Sequence, residues 1–294
     1  MDNAIIPFYQ LDVFTDQPLG GNPLALFHQT PDWSDRILQK IAREMNLSET
    51  VFLYPEQSPT ADFRMRIFTP EKEIPFAGHP IIGTAFALFN KGLAGQGKKQ
   101  VKLKLPAGII SVEMKSNGIC FMRQPQPKFL DRFEDLQLIA KSLGIQSEQI
   151  SLNSPCQAVS TGFPCLFVPI NKLNTLNKIE INSKFLAETL QKTNVDMLYV
   201  FSKETVCLES TVHSRSFAPF IGIPEDPATG SAGGALGAYL LNYGIAEPGK
   251  MEIEQGYEID RPSRIYLDVS NNDSEWIIEV GGKCVFIIEG NIRI

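Results

Sequence analysis

Glu49, His79 and Asp226 are the side chains of this 294-residue chain whose sequence surroundings best suit acid–base or anion chemistry. Gly78-His79-Pro80 stands directly ahead of an apolar run containing Ile81, Ile82, Ala85, Phe86, Leu88 and Phe89. Proline suits a first helical turn because its missing N–H has no helical partner there, so the run reads as a buried helix headed by Gly78 and His79. Such a head carries unpaired amides and the positive end of the helix dipole, which favour a carboxylate or phosphate. A glycine turn with a histidine cap would use the same residues without a ligand. Glu49 lies just before the apolar strand run Val51-Phe52-Leu53. Burial there would raise its pKa, allowing it to take and return a proton near neutral pH; pairing with an arginine or a helix end is the structural alternative. Asp226, in Pro224-Glu225-Asp226-Pro227-Ala228-Thr229-Gly230-Ser231, could accept a hydrogen bond from a hydroxyl or amino group, or simply start a turn. Ser231 could bind an anion or cap the helix that follows it.

The elements that must position these groups occur twice. Arg66-Ile-Phe68-Thr-Pro70 with Pro75 returns as Arg215-Ser-Phe217-Ala-Pro219 with Pro224, 149 residues later. Gly21-Asn22-Pro23 answers to Gly162-Phe163-Pro164, Asn46 to Leu53 answers to Asn194 to Phe201, and Ala77-Gly78-His79 answers to Thr229-Gly230-Ser231. These matches run in one order, the signature of an internal repeat. In the first half strands are expected near 8–14, 24–28, 50–54, 62–68, 99–106, 109–115 and 118–123, with an amphipathic helix at 33–45 and the glycine-headed helix from 78. The second half is expected to carry helices near 133–143, 182–192 and from 231, and strands near 164–169, 197–202, 206–217, 264–269, 276–280 and 284–288. QPQPKF at 124–129 reads as the linker. The fold class is therefore α+β, with two pseudo-symmetric domains, each a barrel-like sheet around a central helix. Their expected bounds are 1–128 and 129–294, with a return of the last ten or so residues to the first as the alternative. An approximate two-fold axis would bring both helix heads to one cleft around an anionic ligand. Where the halves differ, chemistry is expected. Glu49 has Met197 as its counterpart, and Asp226 lies in a three-residue insertion between Pro224 and Gly230 relative to Pro75 and Gly78. Arg66 and Arg215 are expected to pair carboxylates structurally.

Composition excludes several classes. The chain is 43% hydrophobic and 20% charged with a net charge of −6 and no basic run, which gives no nucleic-acid or anionic-membrane surface. No stretch is apolar for the ~20 residues a spanning helix needs, and the opening segment has no signal-peptide pattern, so a cytoplasmic location is expected. Cys120, Cys156, Cys165, Cys207 and Cys284 are scattered without a C-x-x-C pair and read as reduced thiols. His28, His79 and His213 make no close ligand pair, so no metal site is expected. Dinucleotide and P-loop motifs are absent.

GNPLALF, NLSETVF, RIFTPEKEIPFAGHP, RSFAPFIGIPEDPATGSAGGALGAYL and EQGYEIDRPSRIYLDV together resemble the PhzF-like family, named for the isomerase of phenazine biosynthesis. The resemblance covers nearly the whole chain. It implies the diaminopimelate epimerase-like fold, a site in the cleft between the domains, and commonly a homodimer. It also implies an isomerase without a cofactor that moves a proton along a conjugated, carboxylate-bearing ring, trans-2,3-dihydro-3-hydroxyanthranilate in the best understood member. Glu49 falls on the family's general acid/base position; Gly78, His79, Asp226, Gly230 and Ser231 fall on ligand-contacting motifs, and Asn22 borders the site. The related epimerases carry a thiol immediately before each glycine, as two opposed bases. Ala77 and Thr229 stand there in this chain, which leaves a one-base route through Glu49. A member that binds small anions or a protein partner without turnover is the alternative.

Overall fold

The computed structural model describes residues 5–56, 58–272 and 275–294. The chain divides into two compact units, one comprising Met1–Arg123 with Gly281–Ile294 and the other Gln124–Val280.

In the first unit the strands and helices are β1 (Ile5–Val13), β2 (Asn22–Phe27), α1 (Asp35–Met45), β3 (Glu49–Pro55), β4 (Phe63–Phe68), β5 (Glu73–Ile74), α2 (Gly78–Asn90), β6 (Gln100–Leu105), β7 (Gly108–Met114) and β8 (Cys120–Arg123). Strand β1 is antiparallel to β2, and β2 is parallel to β3, with α1 as the crossover that a parallel pair requires. Strand β4 then pairs antiparallel with β3 and β5 and parallel with β6, and β6, β7 and β8 continue as an antiparallel meander. Two cores result. One packs α1 against the sheet through Leu38, Ile41, Phe27, Phe52 and Phe68, with Phe27 and Phe52 stacked at 5.3 Å. The other surrounds α2, which touches β1, β2, β3, β7 and β8, and whose Ile81, Ile82, Ala85 and Leu88 are fully buried. Close approach is possible because Gly83 sits on the helix face toward the sheet: a Cβ there would lie 2.7 Å from Leu24 and Val13.

The second unit repeats this plan. It opens with β9 (Lys128–Arg132), α3 (Leu136–Leu143) and β10 (Gln157–Ser160), then runs through β11 (Pro164–Pro169), α4 (Leu173–Leu176), α5 (Ser183–Thr193), β12 (Leu198–Ser202), β13 (Val212–Ala218), β14 (Ile223–Asp226), α6 (Gly230–Asn242), β15 (Gly249–Gln255), β16 (Ser263–Asn272) and β17 (Glu275–Gly282). Strands β11 and β12 are parallel, like β2 and β3; β13 is antiparallel to β12 and β14 and parallel to β15, like β4 with β3, β5 and β6. Helices α2 and α6 are each 13 residues long. The last strand, β18 (Cys284–Arg293), lies antiparallel to β1 in the first unit.

The structure departs from the sequence expectations in places. Only 124–127 lack regular structure in the expected linker, because Lys128 already begins β9, which pairs with β10. The strand expected over 206–217 begins at Val212, since 203–211 form a turn in which Val206 and Leu208 face solvent. Strands β5, β9, β10, β14 and β15 and the short helix α4 lie outside the expected set.

Candidate active site

Asn22, Glu49, Gly78 and His79 lie in the first unit, whereas Asp226, Gly230 and Ser231 lie in the second. In the first, Glu49 is the first residue of β3 and is paired in register with Leu24 of the parallel strand β2. The same parallel pairing sets the start of β2 beside the start of β3, where Ser48 Oγ donates to Asn22 Oδ1 at 2.9 Å. Gly21, just before Asn22, has φ +62°, and a Cβ on it would meet the Val13 carbonyl at 2.4 Å, so the GNP turn is closed to other residues.

His79 stands in the first turn of α2, and its Nε2 is 3.4 Å from Glu49 Oε2, with both side chains buried. Since Nε2 faces the carboxyl group, Nδ1 makes the hydrogen bond to the Pro23 backbone; proline offers only a carbonyl, so the imidazole is the donor. Burial pushes His79 down to about 3, against the opposing effect of that bond. The ring is therefore neutral at ordinary pH, with its proton on Nδ1 and a lone pair on Nε2 directed toward Glu49. Gly78 is the first residue of α2, and no side chain of the N-cap residue Ala77 caps the helix.

In the second unit Asp226 ends β14, and Gly230 and Ser231 begin α6. Asp226 Oδ2 accepts from the Thr229 hydroxyl at 2.6 Å, and the Asp226 carbonyl accepts from Gln255 Nε2 at 2.6 Å. Gln124 Nε2 donates to the Gly230 carbonyl at 2.9 Å, while the Thr161 hydroxyl reaches Gln124 Oε1 at 2.6 Å and the Ser231 carbonyl at 3.3 Å. Asp226 and Gly230 are buried and Ser231 is half-buried. Met197, at the place corresponding to Glu49, is buried with Cys165 Sγ 3.4 Å from its sulfur, an apolar filling where the first half has a carboxyl group.

Each repeated arginine grips a carboxylate beside its own helix head: Arg66 reaches Glu73 through Nε at 2.8 Å, and Arg215 holds Glu225 through Nε and Nη2 at 2.8 Å each. Among the described residues no group of three His, Cys, Asp or Glu side chains is arranged to hold a metal ion, and no helix is long and apolar enough to cross a membrane.

Sequence reasoning did not single out Gln255, Tyr199, Ser214 and Thr161, all buried around the second helix head. A comparison of the two halves at matched positions would have found the first three. Their counterparts are Leu105, Val51 and Met65, so polar residues replace apolar ones.

The fold is shared with a hydroxyproline epimerase from Agrobacterium vitis, which has a TM-score of 0.67 over 99% of this chain and 93% of its own, at 11% identity, a likeness of fold alone. The model of the phenazine biosynthesis-like protein (PhzC-PhzF) family matches residues 11–290, and the chain belongs to that family. A PhzF-family phenazine biosynthesis protein from Bacillus anthracis superposes with a TM-score of 0.90 at 29% identity, covering 99% of this chain and 100% of that one. Trans-2,3-dihydro-3-hydroxyanthranilate isomerase from Pseudomonas chlororaphis is 34% identical, over 96% of this chain and 97% of its own length. The protein is an isomerase with the two-half, helix-centred α+β fold of this family.

Proposed function

We propose that this isomerase moves a proton between two carbons of a small, conjugated, carboxylate-bearing substrate, with Glu49 as its single acid/base and no cofactor. Trans-2,3-dihydro-3-hydroxyanthranilate is the model for that substrate. The reading rests above all on one observation, the buried Glu49 carboxyl group facing His79 Nε2 at 3.4 Å beside the head of α2.

The carboxylate takes a proton from an activated carbon and becomes a carboxylic acid; it then returns that proton to another carbon on the same face, so atoms and charge balance over the cycle. Burial favours the neutral acid between the two steps, and the lone pair on His79 Nε2 gives the acid's proton a direction to point. With its own proton committed to Pro23, His79 acts here as an acceptor. Charge developing on the substrate then falls to the amides at the head of α2, to which Gly78 allows close approach. Asp226, Gly230, Ser231 and Asn22 are assigned to binding the substrate's polar groups. Ala77 cannot ionise and the Thr229 hydroxyl is spent on Asp226, so no second base precedes either glycine.

The test is incubation with trans-2,3-dihydro-3-hydroxyanthranilate and related dihydroaromatic amino acids in heavy water. Wild type is expected to turn substrate over, and Glu49→Gln to lose about two to four orders of magnitude in rate while still binding. Undiminished turnover by Glu49→Gln refutes the assignment. Carboxylate binding by wild type with neither turnover nor solvent exchange would identify a binding protein.

A further inference from the structure

The second half of the repeat carries a buried polar network where the first half is apolar. Matching strand registers define the comparison: Phe52 opposes Arg66 as Val200 opposes Arg215, and Phe63 pairs with Leu103 as Val212 pairs with Ile253. By these registers Val51, Met65 and Leu105 correspond to Tyr199, Ser214 and Gln255, and Ala77 precedes its glycine as Thr229 does. All eight are buried. Polar groups are costly in such places unless every one is satisfied, so a network that replaces an adequate apolar core needs a purpose beyond packing.

Between Gln255 and Asp226 the hydrogen bonds have one direction. The Thr229 amide can only donate, so Gln255 Oε1 faces it at 3.2 Å; the Asp226 carbonyl can only accept, so Gln255 Nε2 faces that at 2.6 Å. The amide orientation is thus fixed by two backbone groups, and Tyr199 supports it by donating to Oε1 at 2.9 Å. Gln255 Nε2 also donates to Thr229 Oγ1 at 3.0 Å, which leaves the threonine proton to go to Asp226 Oδ2 at 2.6 Å. The series from Tyr199 through Gln255 to the Thr229 hydroxyl therefore ends on the Asp226 carboxylate. Cys165 on β11 and Tyr199 on β12 both interact with Asp226, and burial pushes both upward, so that they are uncharged. Glu225, its chain neighbour, is bound by Arg215.

We propose that Gln255 and Thr229 are positioning residues that hold Asp226 as an ionised hydrogen-bond acceptor at the head of α6, set to receive a hydroxyl or ammonium donor of the substrate. The substrate clause rests on the proposed function above; the orientation of Asp226 does not. In the apolar first half no such series can form, so the two helix heads have unlike tasks.

The experiment follows the Asp226 carboxyl carbon by NMR across a pH titration of the full chain, in wild type, Thr229→Val, Thr229→Ser and Gln255→Glu, with Asp226→Asn assigning the signal. Loss of a hydrogen bond to a charged group is expected to make Asp226 of Thr229→Val hold its proton about tenfold more tightly. Thr229→Ser should stay with wild type, and Gln255→Glu, which turns the threonine proton away and adds a charge, should exceed Thr229→Val. If Gln255→Glu does not fold, the two threonine variants decide. A Thr229→Val titration that coincides with wild type, or a serine variant that behaves like valine, overturns the proposal. This readout needs no turnover, so it stands or falls separately from the Glu49 assignment.

Discussion

His213 provides a quantitative test of how a buried charge is held in this fold. Its ring is fully buried on β13, with Nδ1 2.7 Å from Glu254 Oε1 and Nε2 2.8 Å from Glu258 Oε1. Burial works against the imidazolium, but the hydrogen bonds to Glu254 and Glu258 outweigh it and lift the group from 6.5 to about 9. The pair partner Glu254 is likewise held below the usual carboxylate range: burial opposes this, and the bonds from His213 and from the Val206 and Cys207 amides prevail. Because the imidazole binds its proton more tightly folded than unfolded, its contribution to stability is complete below 6.5 and disappears as pH rises through about 9. The difference corresponds to about 3 kcal/mol. Urea unfolding of wild type and His213→Gln from about pH 6 to about pH 10 measures it, since lysine and tyrosine ionisation affects both proteins alike. The variant leaves two acidic side chains around a neutral amide, and should be about 3–5 kcal/mol less stable at the acid end. The gap should narrow by about 3 kcal/mol toward the alkaline end. A gap that stays constant with pH would show that His213 is not held as a cation, and would refute the reasoning.

Two further outcomes follow from the same kind of accounting. Arg215→Lys should cost about 2 kcal/mol in urea unfolding, because a lysine cannot reproduce the paired bonds to Glu225 together with those to the Leu176 and Ile179 carbonyls at 3.0 and 3.1 Å. Arg66→Lys should cost less than about 1 kcal/mol, since part of its pairing is with the exposed Asp35. In native thiol labelling Cys207 should react first, being half-buried with the Arg264 guanidinium 3.2 Å from its sulfur. Burial pushes Cys120 and Cys156 up to about 12, and raises Cys165 and Cys284 as well. Cys207→Ser should remove the fast phase; a fast phase that survives would contradict this ordering.

The architecture was legible because duplication leaves paired signals. Gly, Arg-x-Phe-x-Pro and a glycine-headed apolar helix recur in the same order, and both helices begin at the glycine that marks them. Elements without such a marker were hidden. Strand β15, Gly249–Gln255, buries Glu254 and Gln255 beside Ile253, so the alternation that identifies a half-buried strand is masked by polar side chains with their own buried partners. Strand β9 is mostly exposed and depends on pairing with β10, a long-range contact that local pattern does not report. The turn at 203–211 misled through Val206 and Leu208, apolar residues left facing water. At the site, residue types pointed to Glu49 and His79 separately. Their 3.4 Å approach depends on the parallel β2–β3 crossover and on the entry of α2, which no spacing in the chain expresses.

The pairing of β1 with β18 also governs how the chain can be made. On the ribosome, β1 emerges early and must wait with one edge uncovered while the whole of the second unit is synthesised, because its partner strand begins only at Cys284. The later unit has all its segments in hand before the earlier one does, and the exposed edge of β1 is meanwhile open to pairing with another nascent copy. Premature termination just after Val280 would therefore leave the second unit's sequence intact and disable the first.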